Sequence, residues 1–340
     1  MNKSFFRVAI VLIILAGAFL LWCRGQFLGS AVAETFYVSV SSEEVDSNEW
    51  SSIEEQILPN ISHDWAFKFY AKRLNLNSTI KAGRYQFEPN LSVIRIVRML
   101  KLGEQLPVNV TFNNIRTLPD LAGRVSSQLD IDSLDLLNYL QNDKVCSKYG
   151  FDSTTIFSMF IPNTYQFYWN TSSKKFVERI NGEYNKFWTE ERLTKAKELN
   201  LSQLEVLTLA SIIYEETKQT DEMARVAGVY VNRLRIGMPL QADPTVKYAV
   251  GDFTLKRVLY KHLEYDSPYN TYKYKGLPPS PISMPSIAAI DAALSPEKHS
   301  YLYFCARPTF DGYHSFAKSL SEHNINAKAY INELNRLKIK

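Results

Sequence analysis

The residues best placed to do chemistry lie between Leu201 and Gly251. Glu216 stands at the end of LSQLEVLTLASIIYEET, a run whose apolar residues recur at helical spacing. Ser202, with Glu205 three residues on, forms a capping-box signature that starts the helix. At about 100° per residue, Val206, Leu207, Leu209, Ala210, Ile213 and Tyr214 gather on one side. Glu216 falls at the edge of that side, whereas Glu215 points away from it, beside Thr208 and Ser211. A carboxyl at the margin of an apolar core loses hydration, which disfavours its charged form and raises its pKa. A general acid working near neutral pH needs such a shift. Glu215 is expected to stay an ionised surface carboxylate. The same phase also fits Glu216 as the last residue of an amphipathic helix with its head in water, so periodicity alone does not decide.

The elements that must position this carboxyl follow from punctuation in the chain. A second helix is expected near 222–236, stopped by Gly237. Asp243-Pro244 opens a short helix, since proline fits a first turn. Residues 267–285 (SPYNTYKYKGLPPSPISMP) are too rich in proline to be helical. They read equally as a stiff wall facing a ligand or as an extended connector over the core. A strand at 301–307, a turn at Asp311-Gly312 and a terminal helix to Lys340 close the lobe.

Upstream, ETFYVSV (34–40) alternates as a strand, followed by helices near 50–58 and 64–74 and a strand at 83–89. Asn90 is expected to cap a helix over 91–102 that ends at Gly103, before another strand at 106–112. Thr117 with Asp120 forms a second capping box, and 133–142 a short helix. An aromatic, turn-rich segment at 150–172 precedes one long helix over 174–199 with Gly182 as its soft point. The fold class is α+β: an N-terminal transmembrane helix, a small α/β unit, and a mostly helical lobe with a few short strands. The divisions expected are a tip and anchor at 1–25, the small unit at 34–112, linking helices and the aromatic segment at 113–200, and a catalytic lobe at 201–340.

Composition narrows the classes. The chain has 340 residues, 46% hydrophobic and 22% charged, with a net charge of +4. That balance is too weak and dispersed for nucleic acid, and the length suggests two or three folding units. Its 20 tyrosines, 19 phenylalanines and 5 tryptophans suit either a core or flat stacking surfaces for sugar rings. Cys146 and Cys305 make no zinc pattern or disulfide framework, although one bridge between them would suit an oxidising compartment. The histidines are scattered without HExxH spacing, so neither a metal nor another cofactor is expected.

Residues 8–23 are free of charge, with Lys3 and Arg7 before them and Arg24 after. Extended over residues 5–24, this run is close to the roughly 20 needed to span a bilayer. Gly29-Ser30-Ala31 offers a cleavage site, but none directly follows the apolar run, so an uncleaved anchor is favoured. The basic flank then sets the N-terminus inside and exports everything beyond about residue 25.

Longer blocks carry a resemblance. LASIIYEET (209–217), VAGVYVNRLRIGMPLQADPTVKYAVG (226–251), SPYNTYKYKGLPPSPISMP (267–285) and YLYFCARPTFDGYHSFAKSLSEHN (301–324) stand in fixed order, with KAGRYQF (81–87) and IPNTYQF (161–167) upstream. Together they resemble the YceG-like endolytic murein transglycosylases, the MltG family. The resemblance implies a single-pass inner-membrane protein with a periplasmic LysM-like subdomain and catalytic domain. Such a protein cuts glycan strands internally to leave 1,6-anhydro-N-acetylmuramic acid ends, limiting nascent strand length. In the family's block the catalytic Glu directly precedes the Thr, which is Glu216 here. Two departures stand out: Tyr214 replaces a second acid common two residues before the catalytic one, and Phe112-Asn113-Asn114 replaces an acidic-Gly turn.

On that reading Glu216 works alone, first as acid and then as base, with the muramoyl C6 hydroxyl as internal nucleophile. Candidates to meet the developing charge and bind substrate are Asn232, Gln241, Tyr269, Asn270, Thr271 and Tyr272. Asp243 either orients this group or caps its helix, the simpler role, and His314 either lines the groove or is structural. Expected partners are peptidoglycan strands, the lipid bilayer through residues 5–24, and murein synthases. Two rivals remain: a non-catalytic murein-binding scaffold, and a hydrolytic muramidase that requires a second carboxylate.

Overall fold

The computed structural model describes residues 3–255 and 257–337. It is a helix-rich α+β protein, and its chain forms two compact units. One comprises Met1–Val110, Ser126–Ile131 and Tyr165–Ser172; the other comprises Thr111–Val125, Asp132–Thr164 and Ser173–Lys340.

The first unit begins with a helix over Lys3–Leu28, long and apolar enough to cross a membrane, with Phe27 packed against the unit's core. The strand Phe36–Val40 pairs antiparallel with Gly83–Phe87, setting Phe36 opposite Phe87 and Val38 opposite Tyr85. Because side chains alternate across a strand, Phe36, Val38, Val40, Tyr85 and Phe87 all face inward. The helices Trp50–Ile57, Asp64–Arg73 and Val93–Leu102 cover them, burying Ile53, Ile57, Phe67, Ile96 and Leu100. The last of these is capped by Ser92 rather than Asn90. Asn90 instead takes a left-handed turn at φ 71°, a conformation asparagine tolerates. Gly103 ends the helix as expected, at φ 74°.

The second unit is built around the Gln203–Glu216 helix. Its capping box forms as read: Ser202 accepts from the Glu205 N–H, and the Glu205 carboxylate accepts from the Ser202 N–H. The expectation of one apolar and one polar side fails, however. Every residue from Val206 to Ile213 is buried, Thr208 and Ser211 among them. Two neighbours cause this. A helix over Ile287–Leu294, not foreseen from the sequence, packs along it, as does Thr220–Arg235. The proline-rich segment covers the face expected to be polar: the Ile282 N–H donates to Ser211 Oγ at 3.0 Å, and Ile282, Ser283 and Met284 are buried.

Three other expectations shift. The helix expected over 174–199 is two, Ser173–Phe187 and Glu190–Glu198, split where Thr189 caps the second; Gly182 lies inside the first. The 150–172 segment contains a 3-10 turn at Ile156–Met159 and a strand at Asn163–Tyr168. Residues 301–317 form a hairpin, Tyr303–Ala306 against His314–Ala317. The terminal helix runs from Leu320 to Arg336, and its expected extension to Lys340 lies outside the described residues. Cys146 and Cys305 are both free.

The Thr220–Arg235 helix tolerates no side chain at Gly228. A Cβ there would meet the Glu297 carbonyl oxygen at 2.4 Å and the His299 ring at 2.6 Å. Gly228→Ala is therefore expected to destabilise the protein by about 1–3 kcal/mol, read as a lower denaturation midpoint; an unchanged midpoint would refute the close approach.

Candidate active site

Glu216 is the last residue of its helix, and Thr217 turns the chain out to an extended conformation. The carboxyl thus emerges where a buried helix ends, in a cavity of about 360 Å³ within the second unit. Beside Glu216 the cavity is walled by four elements, one of them the Leu320–Arg336 helix, which contributes Leu320 and His323. Thr220–Arg235 contributes Tyr230 and Arg233; the 240–243 turn with Tyr272 contributes Leu240, Gln241 and Asp243; the hairpin contributes Tyr303–Ala306 and His314.

The Tyr230 hydroxyl donates to Glu216 Oε1 at 2.7 Å. Burial pushes the Glu216 pKa up to about 7. The Tyr230 hydrogen bond opposes that rise, the Asp243 charge adds to it, and the Arg233 and Lys247 charges oppose it. Desolvation wins, so the group is held near the midpoint between acid and base at neutral pH. This supports the shift expected at Glu216, but for a different reason. The helix is enclosed on all sides from Val206 to Ile213, and Glu216 at its terminus reaches the cavity.

Glu215 is not the free surface carboxylate expected. Its side chain is 13% exposed and pairs with Arg116 at 2.7 Å, under the cover of Pro244, Lys247, Tyr248, Phe253 and Ile282. The two adjacent acids therefore occupy separate surroundings: one ion-paired, the other facing the cavity beside a neutral phenol.

Of the residues singled out from sequence, Gln241, Asp243, Tyr272 and His314 line the Glu216 cavity. Asp243 begins the Asp243–Val250 helix without capping it; its Oδ1 accepts from the Tyr272 hydroxyl at 2.7 Å. Gln241 sits at φ 50°, in the left-handed region. Thr271 clamps that turn: its carbonyl accepts from the Gln241 N–H, and its hydroxyl oxygen from the Ala242 N–H. Asn270 is fully buried, its amide donating to the Leu263 and Tyr265 carbonyls and its oxygen accepting from the Tyr272 N–H. Asn270 and Thr271 thus aim Tyr272 and Gln241 without lining the cavity. Tyr269 is likewise turned aside, bonded to Ser280 and packed against Tyr248. Asn232 faces a different hollow, near Gly228 and Pro296, and donates to the carbonyls of His299 and Tyr301.

Two buried charged residues, one lining the cavity and one behind it, escaped the sequence reading. Glu222 lies in the first turn of its helix, where an acid usually faces water, yet it is 2% exposed. Its two oxygens hold His314, one accepting from the backbone N–H at 2.9 Å and the other lying 2.7 Å from Nδ1. Arg233 is also buried, and its guanidinium donates to the carbonyls of Leu240 and Leu302, both at 2.6 Å. One sign of it was legible: Arg233 falls on the apolar phase of Met223, Val226, Ala227 and Tyr230. No group of acidic, histidine or cysteine side chains suited to a metal occurs among the described residues.

A half-buried carboxyl, poised near neutrality in a polar, aromatic cavity, is an arrangement suited to acid–base chemistry on a helical lobe. The YceG-like family matches residues 47–329. An endolytic murein transglycosylase of Bacillus subtilis (strain 168) is 30% identical over 340 residues, covering 95% of this chain and 92% of the relative. Another, from Streptococcus pneumoniae serotype 2 (strain D39 / NCTC 7466), is 27% identical over 80% of this chain, which spans only 54% of that relative. A crystal structure of a YceG-like protein from Listeria monocytogenes superposes with a TM-score of 0.57 at 29% identity, covering 86% of this chain and 98% of the other. The chain belongs to the YceG-like family.

The site generates a pH signature. A proton donor at Glu216 is lost as pH rises through about 7, so activity should fall along an alkaline limb there. The Tyr230 bond favours the charged form, so Tyr230→Phe should move that limb to higher pH in a pH–rate profile. A limb that stays in place would separate Tyr230 from the proton donor. The same shift bears on folding. The folded state holds this proton more tightly than the unfolded chain, whose carboxyl titrates near 4.5. Its contribution is therefore full below about 4.5 and is lost as pH rises through about 7. Glu216→Gln should flatten that part of the stability–pH curve measured by denaturation.

Proposed function

We propose that this chain is an endolytic murein transglycosylase in which Glu216 serves as both acid and base. The single observation carrying the assignment is a carboxyl with its pKa raised to about 7, facing a cavity with Tyr230 at 2.7 Å. Protonated Glu216 donates to the oxygen of the MurNAc–GlcNAc bridge as the bond from the anomeric carbon to that oxygen breaks. The resulting carboxylate then takes the proton of the muramoyl C6 hydroxyl as that oxygen bonds to the anomeric carbon. The acid is regenerated, no water is consumed, and a 1,6-anhydro end is left. The internal nucleophile supplies proximity that a hydrolase must obtain by holding water on a second carboxylate.

In this assignment Gln241, Tyr272 and His314 meet the substrate, while Asn270 and Thr271 hold the turn that presents Gln241. Asp243 braces Tyr272 and adds to the upward shift at Glu216. With one oxygen committed to the Tyr272 hydroxyl, it is less free to act as a second base. Residues 34–112 we read as a LysM-like subdomain, supported by helices set between two antiparallel strands, Phe36–Val40 and Gly83–Phe87. The helix containing Phe5–Leu28 we read as an uncleaved single-pass anchor in the inner membrane, with the catalytic lobe on its periplasmic side, near murein synthases. Residues 5–24, charged only at Arg7 and Arg24, rise about 30 Å, the thickness of a hydrocarbon layer. Ala31 and Val32, at the Gly29-Ser30-Ala31 sequence, are buried in the first unit's core, which supports retention of the segment.

Glu216→Gln is expected to lower cleavage of purified sacculi by about 10²–10⁴-fold while the protein stays folded. Glu215→Gln should weaken folding through the lost Arg116 pair but leave the pH limb unmoved. Mass spectrometry of the products decides the reaction class: reducing muramic acid in place of anhydro ends would make the protein a hydrolase.

A further inference from the structure

The Asp64–Arg73 helix shows two unlike faces. Ala66, Phe67 and Ala71 are buried in the first unit, whereas Trp65, Lys68, Phe69 and Lys72 are exposed. Those four stand at i, i+3, i+4 and i+7, a single line along the helix. Trp65 is 42% exposed and Phe69 54%, far more than a soluble surface gains by. The line joins the N-terminal helix without a gap. The Trp65 indole stacks on Trp22, with centroids 5.2 Å apart and planes 6° from parallel, and its N–H donates to Gln26 at 3.0 Å. Phe27 meets Trp65 and Phe69 at 5.3 and 5.9 Å, and Phe19 continues the series beyond Trp22 at 5.9 Å.

Depth follows from these contacts. A span needs roughly 20 residues, and counting from Phe5 reaches Arg24, the first charge after Arg7. Trp22 therefore sits at the outer boundary between acyl chains and headgroups, where indole rings concentrate. A ring stacked face to face on Trp22 shares its depth. Phe69, which contacts Phe27 rather than Trp22, lies farther out, and the two lysines flank both rings.

We propose that the Trp65–Lys72 face of this helix is a membrane-surface contact. Its occupant is the headgroup layer of the bilayer crossed by the N-terminal helix, with Trp65 beside the upper acyl chains and Lys68 and Lys72 against anionic phosphates. This rests on the reading of residues 5–24 as a span and goes beyond it. The first unit is held on the lipid by a second element and does not swing on a single stalk.

The test uses the full chain in nanodiscs whose lipids carry bromine near the top of the acyl chain. Tryptophan emission is compared for the wild type, Trp22→Phe and Trp65→Phe. Each substitution should remove roughly half of the lipid-quenchable emission, as two interfacial indoles require. Quenching of the Trp65 share should also be stronger in phosphatidylglycerol discs than in phosphatidylcholine discs, and Lys68→Glu/Lys72→Glu should abolish that difference. If Trp22 is quenched while Trp65 instead responds to aqueous acrylamide, the surface contact is overturned and the span stands. If neither indole is quenched, the span fails and takes the contact with it. A Trp65 shielded from both quenchers would be covered by protein, which also overturns the proposal.

Discussion

The withdrawal of water from one carboxyl governs the rest of the second unit. Glu216 is charged in an ordinary peptide at neutral pH, and here burial, with the Asp243 charge added, outweighs the hydrogen bond and the two cations that favour its ionised form. That balance requires a helix with no wet side. Ile287–Leu294 and Thr220–Arg235 supply two walls, and the chain around Ile282 supplies another through Ser211. Only the helix end is left open, so the acid emerges from a dry support into a polar cavity. The two roles proposed for Glu216, giving and then taking a proton, call for a group close to its midpoint.

The polar residues around the cavity divide into those that face it and those that hold others in place. Arg233 spends its donors on backbone carbonyls of the 240 turn and of the residue before the hairpin, tying both to one helix. Glu222 does the same for His314 by gripping its backbone and ring together. Such fully occupied buried charges are costly to break singly. The cavity's shape is accordingly fixed by groups whose hydrogen bonds are spent on the scaffold.

Much of the fold was legible because its signals are local. The Ser202–Glu205 box, the glycines at 103 and 237, and the Asp243-Pro244 start all act within one turn of chain. The failures share one cause: they depend on what packs against the element. Thr208, Ser211 and Glu215 looked solvent-facing because helical phase cannot anticipate a distant loop covering that side. The same blindness hid Ile287–Leu294, whose run is short and, Asp291 apart, apolar, too brief to show a helical period. At the site, identity was easier to read than direction. Asn232, Tyr269, Asn270 and Thr271 were recognisable as polar groups near the right segments, yet their hydrogen bonds point into the scaffold.

The left-handed backbone of Gln241 has a consequence for variation at this position. A residue with a Cβ gives up about 1–2 kcal/mol to stand there, and glycine would recover it at once. Glycine, however, has no amide to extend into the cavity, and asparagine, which tolerates the twist, is one carbon shorter. The position is caught between an easy main chain and a long arm, and a protein that keeps glutamine there has favoured the arm.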